Sequence, residues 1–315
     1  MILQFSKLPP PIGGVTIHVS RLIFKSLSLK NMKIEALDYS NEKNIFKWIQ
    51  KIISSKIIHI HLSNKKLRFV FVLLFKFFSK KVIITFHGKY DFENIFDKWT
   101  LKLSTVSILL NDFSYSNAAS IKKKGVYKIG AFIEPIESQI VPLKEEFVKN
   151  INVLKDKYKK VFCTNASSLA YDEKGREIYM GTEIITYFQN KKDIALVFSS
   201  PNEEYFNFLK EKFILFSENI YFIKEMHDFV NVIKNTNALI RATTMDGDSL
   251  SVKEALFYQK SVFATNVVDR PKGVITFSDF SDFEKKYTSS AIKVESVEDN
   301  SLEIFSLYNS LLKED

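Results

Sequence analysis

Two acids eight residues apart frame the stretch of this sequence best suited to chemistry. The stretch runs R-A-T-T-M-D-G-D-S-L-S-V-K-E-A-L from Arg241 to Leu256, and the acids are Asp246 and Glu254. A short apolar run of strand type, N-A-L-I, precedes it. Leu250, Val252, Ala255, Leu256 and Tyr258 carry the spacing of a helix with one buried face. Between them Asp246, Gly247, Asp248 and Ser249 are turn and N-cap types. The pattern predicts strand, tight turn and helix, with the helix starting at about Ser249. Backbone N–H groups of Ser249, Leu250 and Ser251 at such a start suit an anion, and a diphosphate is a natural guest. Asp246 would meet one end of an elongated ligand, and Glu254, under the first turns, the other.

This stretch resembles the E-x7-E signature of family 4 glycosyltransferases, enzymes of the GT-B fold. The match continues through S-V-F-A-T and D-R-P-K-G, Ser261 to Gly273. The resemblance implies that Asp246 binds the donor sugar, that Glu254 binds the nucleotide ribose, and that the residues between offer backbone N–H to the phosphates. An Asp in the first position departs from the family and leaves the donor sugar open. P-P-P-I-G-G-V-T-I-H-V, Pro9 to Val19, resembles the family's Gly-rich first loop. There Gly13 and Gly14 let the backbone approach a ligand without Cβ interference, and the following helix N-terminus favours anionic groups. His18, four residues inside that helix, reads as core or supporting. V-I-I-T-F-H-G, Val82 to Gly88, is a strand ending in His-Gly, where an open sheet presents ligand-binding groups. By resemblance His87 is catalytic, lying against the donor sugar near the scissile bond.

In N-A-S-S-L-A-Y-D-E-K-G-R-E-I-Y, Asn165 to Tyr179, Lys174-Gly175 matches the lysine with which the family grips the donor diphosphate. The arginine that should precede it is missing, with Asn165 to Ser168 near its place. Arg176 is a displaced substitute, expected on a helix. Arg241 could reach the ligand or pair with Asp248, and Arg270 in D-R-P-K-G could face the ligand too. His59 and His61, at i and i+2, face one side of a strand, but an H-x-H metal pair needs further ligands and none is apparent nearby. D-G-D at Asp246 to Asp248 opens a helix late in the chain, not the position of a metal-bound nucleotide-sugar motif. No metal site and no cofactor are expected.

Those motifs need strands and helices to hold them, and the N-terminal half alternates the two. Predicted strands are Met1–Phe5, Ile34–Leu37, Ile57–His61, Val82–Phe86, Val106–Leu110 and Val126–Ile129. Predicted helices are Val15–Leu29, Ile45–Ile53, Lys65–Phe78, Ile95–Leu103 and Asp112–Lys123. Such alternation predicts a parallel sheet with helices on both faces. Pro135 and Pro142 mark a linker. A second alternation has strands Lys160–Thr164, Ile194–Phe198, Ile220–Ile223, Ala238–Ile240 and Val262–Ala264. The expected fold is therefore α/β, two Rossmann-like domains facing a central cleft, over residues 1–140 and 141–300. Residues 301–315 would form a helix crossing back onto the first domain. N-I-F-K-W-I-Q-K-I-I and L-R-F-V-F-V-L-L-F-K-F-F are expected as buried helices, with a peripheral membrane patch as the alternative.

At 315 residues, 46% hydrophobic and 26% charged, the chain is globular and long enough for two domains. One cysteine, Cys163, excludes a disulfide framework and fits a reducing cytoplasm. No signal peptide or membrane-spanning run is apparent. Residues 1–150 hold 24 Lys+Arg and 11 Asp+Glu, a balance of +13, against −4 for the remainder and +9 overall. So basic a half suits a polyanion or the anionic inner face of a membrane, or else is a Lys-rich solvated surface. The expectation is a retaining, metal-independent glycosyltransferase of surface polysaccharide synthesis, taking a nucleotide-diphosphate sugar and a glycan or lipid-linked acceptor. A GT-B-type nucleotide-sugar epimerase is the alternative. A non-enzymatic nucleic-acid-binding protein lacks the aromatic-plus-basic motif it would need.

Overall fold

The computed structural model describes every residue except 11, 30, 31, 89, 190, 202, 290–295, 314 and 315. Pro11 of the Pro-rich loop and the last two residues of the chain thus lie outside the described residues. The chain divides into two compact units, Met1–Ile133 with Glu298–Asp315, and Glu134–Val297.

In unit 1, strands β1 (Ile2–Ser6), β2 (Ile34–Asp38), β3 (Ile57–Ile60), β4 (Lys81–Phe86), β5 (Val106–Leu109) and β6 (Val126–Lys128) form one sheet in the order β2-β1-β3-β4-β5-β6. All pairings are parallel. Period-two alternation sends Leu3, Phe5, Ile58, Ile60, Val82, Ile84 and Phe86 to one face. There they pack on α2 (Ile45–Ser54), α3 (Lys65–Phe77), α4 (Ile95–Leu103) and α5 (Asp112–Ile121) through Ile52, Val72, Phe75, Leu101 and Ala118. The opposite face, with Ile2, Ile57 and Ile83, packs on α1 (Gly14–Ser26) and on α12 (Ser301–Lys313).

Each of α2 to α5 is started by an asparagine whose side-chain oxygen accepts backbone N–H groups of the first turn: Asn44, Asn64, Asn94 and Asn111. Such a cap contributes about 1 kcal/mol. Helix α1 stops at Ser26, short of the predicted Leu29. The hydroxyls of Ser26 and Ser28 bond the carbonyls of Ile23 and Lys25, a local alternative to further helix.

In unit 2, β7 (Lys160–Asn165), β8 (Ile194–Ser199), β9 (Ile220–Ile223), β10 (Ala238–Arg241), β11 (Ser261–Thr265) and β12 (Val274–Phe277) form a second parallel sheet, ordered β12-β11-β10-β7-β8-β9. Helices α7 (Gly181–Phe188), α8 (Glu203–Lys212) and α11 (Phe280–Ser289) lie on the face of Phe162, Leu196 and Phe263. On the other face α6 (Glu145–Lys157), α9 (Phe229–Asn235) and α10 (Leu250–Phe257) pack on Val161, Val197 and Val262. Strand β12 was absent from the predicted set. It is a four-residue edge strand, V-I-T-F, mostly half-buried.

The expectation that the two apolar helices of unit 1 are buried does not hold for most of their length. In α2 only Ile52 is buried, while Phe46 is 78% exposed and Ile45, Ile49 and Ile53 also face solvent. In α3 Leu67, Val70, Leu73, Leu74 and Phe77 are exposed, Phe77 by 83%. Lys51 turns to the sheet and bonds the carbonyl of Ala36.

Candidate functional site

Each sheet changes hand at one point. In unit 2 the helix after β7 lies on one face and the helix after β10 on the other. These two strands are neighbours, so their loops diverge and leave a crevice at the strands' carboxyl ends, where open α/β sheets bind ligands. The predicted signature is the loop on one side of that crevice. The Asn165–Tyr179 segment is the loop on the other. The Thr244 N–H donates to the carbonyl of Ile178 at 2.9 Å and joins the two.

The signature folds as expected, with β10 ending at Arg241, Ser249 as N-cap and α10 beginning at Leu250. Ser249 makes no side-chain cap. Its hydroxyl lies 3.2 Å from that of Ser251. Glu254 is buried in the second turn. Arg241 pairs with Asp246, not Asp248: Nε donates to Oδ2 at 3.2 Å and Nη2 to Oδ1 at 3.1 Å. Arg270 Nη1 donates to the same Oδ2 at 2.7 Å, and the Gly247 N–H to Oδ1 at 3.1 Å. The four acceptor positions of the Asp246 carboxylate are therefore filled. Asp248 is taken by Lys253 at 2.6 Å.

Burial pushes the Asp246 carboxyl up, but the charges and hydrogen bonds of Arg241 and Arg270 outweigh it and hold the group below its ordinary range. Arg241 is raised: burial opposes its charge, and Asp246 and Tyr179 more than restore it. Two guanidiniums on one carboxylate leave a net positive charge beside the N-terminus of α10. Arg270 is also held by the Thr265 carbonyl at 3.1 Å, and its Nη2 is buried with no hydrogen bond among the described residues. That is a donor in reserve, which native proteins seldom leave unused.

Lys174 is exposed at the tip of a turn, before Gly175 at φ +72°, a conformation that favours glycine. Arg176 is not on a helix. It sits in the same turn, which a bridge between Tyr171 and Glu177 closes. Asp172 organises this turn, accepting from the N–H groups of Lys174 and Arg176 and from Arg176 Nε at 2.8–2.9 Å. The N–H groups and side chain of Arg176, together with the Lys174 N–H, hold the Asp172 carboxyl down at about 2. The first turn of α7 is served by two residues sequence reasoning missed. Glu177 accepts the Thr182 N–H at 3.1 Å, and Tyr205 Oη accepts the Gly181 N–H at 2.8 Å.

Unit 1 changes hand between β1 and β3, with α1 on one face and α3 on the other. Gly13 is the N-cap of α1, and a Cβ at Gly13 or Gly14 would meet nothing within 4 Å, so the backbone there is open. Side chains of Gln4, His59, His61, Thr85 and His87 point to the α1 and α12 side, by the same alternation that sends the apolar residues away. Gln4 Nε2 donates to Tyr308 Oη at 2.8 Å, and its Oε1 lies 2.9 Å from His61 Nε2. His61 Nδ1 is 2.8 Å from His87 Nε2. His59 bridges Tyr308 Oη at 2.5 Å and Thr85 Oγ1 at 2.7 Å. His18 Nδ1 lies 2.7 Å from the Ala131 carbonyl oxygen. Burial, reinforced by neighbouring histidines, holds His59, His61 and His87 well below the ordinary imidazole range. Three ring nitrogens, one each from His18, His61 and His87, lie within 4.8 Å of one another. The sequence pairs His59 with His61. The third dimension adds His18 and His87, which no local spacing shows.

No family model matches the chain, and no curated protein matches it. Solved structures do, at low identity. A glycosyltransferase from Rickettsia africae ESF-5 matches with a TM-score of 0.68 and 14% identity, over 100% of this chain and 99% of that one. Anabaena HepE in complex with UDP-glucose matches with a TM-score of 0.63 and 8% identity, over 100% and 99%. A protein reported as a UDP-N-acetylglucosamine 2-epimerase from Listeria monocytogenes matches with a TM-score of 0.65 and 12% identity, over 100% and 96%. At these identities what is shared is the fold: two parallel six-stranded sheets with alternating helices, the α/β architecture of GT-B proteins.

Proposed function

We propose that the chain is a retaining glycosyltransferase that takes a nucleotide-diphosphate sugar and passes the sugar to a glycan or lipid-linked acceptor of surface polysaccharide synthesis. One observation carries the donor side of this reading. Arg241 and Arg270 share Asp246 beside the N-terminus of α10, with a buried Arg270 N–H in reserve and Glu254 buried one turn on. Diphosphate oxygens would meet the N–H groups of Ser249, Leu250 and Ser251 and the cations Arg270 and Lys174, and Glu254 would hold the ribose. In this reading Arg241 and Arg270 supply the charge that the missing arginine after β7 does not. Asp246 chiefly positions the two guanidiniums, since a sugar hydroxyl would have to displace one of its four present donors. Gly13, Gly14 and His87 of unit 1 enter on the family resemblance alone, His87 as the residue that meets the sugar.

In the proposed step the bond from the sugar C1 to the phosphate oxygen breaks. The bond to the acceptor oxygen forms on the same face, and the acceptor proton passes to the departing phosphate. Fixed donors around that phosphate would contribute roughly two to three powers of ten in rate per donor. No protein nucleophile and no metal at the diphosphate is invoked.

The exposed apolar side chains of α2, α3 and α4 support a peripheral membrane contact. Phe46, Ile49, Phe77 and Trp99 are interspersed with the exposed lysines Lys47, Lys76, Lys98 and Lys102, the composition of an interfacial face on anionic lipid. Sedimentation with anionic but not neutral vesicles tests this part.

The transfer itself is tested by incubating the chain with a panel of nucleotide sugars, with and without acceptor lipids. Acceptor-dependent consumption of one donor supports the proposal. Interconversion of a nucleotide sugar without acceptor supports instead the epimerase reading, which the Listeria neighbour favours. Inertness toward the whole panel, with no binding, removes both.

A further inference from the structure

We propose that His18, His61 and His87 of unit 1 bind one divalent transition-metal ion of the zinc type. Three observations carry this. Four of the chain's five histidines, His18, His59, His61 and His87, meet at the carboxyl ends of β1, β3 and β4, and the fifth, His227, lies in unit 2. One nitrogen of each of the three rings falls within 4.8 Å of the others, with ring centres 5.1–5.5 Å apart. A modest approach closes that to three zinc–imidazole bonds of about 2.0–2.1 Å.

Hydrogen bonding decides which nitrogen of the His18 and His61 rings can be a ligand. The Ala131 carbonyl can only accept, so His18 Nδ1 carries the proton and Nε2 the lone pair. Gln4 spends its amide N–H on Tyr308, so its Oε1 faces His61 Nε2 and fixes the proton there. The His61 lone pair is then on Nδ1, which is the atom facing His87 Nε2. Each of these two rings thus has its lone pair fixed by an acceptor on its other nitrogen, and that of His61 faces His87. Metal-ligating histidines are held in this way, the outer N–H given to a carbonyl oxygen. Binding asks only that His87 carry its proton on Nδ1.

The third observation is access. His18 and His61 are buried, but His87 is partly exposed and Gly88 beside it is open. An ion and a fourth ligand, water or an anionic oxygen, can enter on that side. Imidazole ligands of this number suit zinc, cobalt or nickel and exclude magnesium and calcium, which want oxygen. His59 stands outside the ligand set, since both its nitrogens serve Tyr308 and Thr85.

This inference does not rest on the proposed transfer reaction, and its test uses no sugar nucleotide. The full chain, without a histidine tag and stripped by chelator, is titrated calorimetrically with ZnCl2. X-ray absorption of the zinc-loaded native chain then counts its imidazole ligands. The expected result is saturation at one ion per chain with three imidazoles. His18→Gln and His61→Gln should each weaken binding by at least the roughly 10–100-fold that loss of an outer partner costs, and Gln4→Leu by about that range. His227→Gln should leave it unchanged. No saturable binding by the native chain, fewer than three imidazoles, or affinity unaltered in His18→Gln and His61→Gln each overturns the proposal. The ligand count needs no variant, so it stands even where a substitution prevents folding.

Discussion

The two units place their polar groups at the same point of the same kind of sheet and solve the burial problem in opposite ways. At the crevice of unit 2 the buried groups are charged: one carboxylate held by two guanidiniums, with a positive remainder. At the crevice of unit 1 they are neutral: histidines, a glutamine and a tyrosine satisfying one another. Buried charge is stable only when paired and hydrogen-bonded, whereas neutral polar groups need hydrogen bonds alone. The first arrangement is prepared for an anion, which would take up the surplus charge. The second is prepared for something that wants lone pairs.

Removing the one carboxylate that Arg241 and Arg270 share should cost unit 2 the most. Asp246→Ala leaves Arg241 and Arg270 buried side by side without a counter-charge, and should cost about 3–5 kcal/mol of stability in denaturant titration. The matching change in unit 1, Gln4→Leu, strands only neutral partners and should cost about 1–3 kcal/mol. Equal losses would mean that the charged cluster is more solvated than its burial implies.

Acid should separate the two clusters along the pH axis. His59, His61 and His87 are held neutral, so below the ordinary imidazole value of 6.5 the unfolded chain binds protons that the folded chain refuses. Stability from these groups is therefore complete above about 6.5 and is lost as pH falls below it, by up to ~1.4 kcal/mol per pH unit for each ring in that window. Asp246 is shifted down from 3.8, so its contribution is complete above that value and disappears only as pH falls through its lowered one. Thermal unfolding of the chelator-treated chain between pH 7 and 3 should show loss beginning near 6.5, and His59→Phe should flatten its first part. A profile flat down to pH 4 would refute the neutral-histidine account.

Smaller effects sharpen the anion side. Lys174→Ala should weaken nucleoside diphosphate binding by about 10-fold through one lost charge-assisted contact. Arg176→Ala should change stability by no more than about 1 kcal/mol and leave binding unaltered, because that exposed guanidinium is already given to Asp172. If Arg176 proves the more important, the turn presents its other side to the ligand.

Much of the fold could be read from the sequence because long β–α alternation with apolar strands is a strong, redundant signal. Strand β12 was not predicted although V-I-T-F is of strand type; its place at the sheet edge is settled only by its pairing with β11. The apolar helices α2 and α3 misled for a different reason. Apolar composition does not say whether a face meets the core or the outside, and Phe46 and Phe77 meet the outside. Of the site, the turn and helix start at Ser249 were legible because turn residues and helix spacing are local. The pairing of Asp246 with Arg270, 24 residues on, depends on β11 lying beside β10 and has no local signature. The histidine cluster likewise needs β1, β3 and β4 side by side with α1 packed on the face that bears His59 and His61. A clue was nonetheless present in Gln4, a polar residue in the middle of I-L-Q-F-S, on the alternation shared with His59 and His61.

Nucleotide binding at the start of α10 is tested by calorimetric titration of the full chain with nucleoside diphosphates, native beside Glu254→Ala. One nucleoside diphosphate should saturate the native chain at one per molecule, and Glu254→Ala should weaken it by roughly 10–100-fold with the fold intact, the loss of a hydrogen bond to a charged group. Binding of no nucleoside diphosphate, or equal affinity in the folded Glu254→Ala chain, would contradict a nucleotide site there.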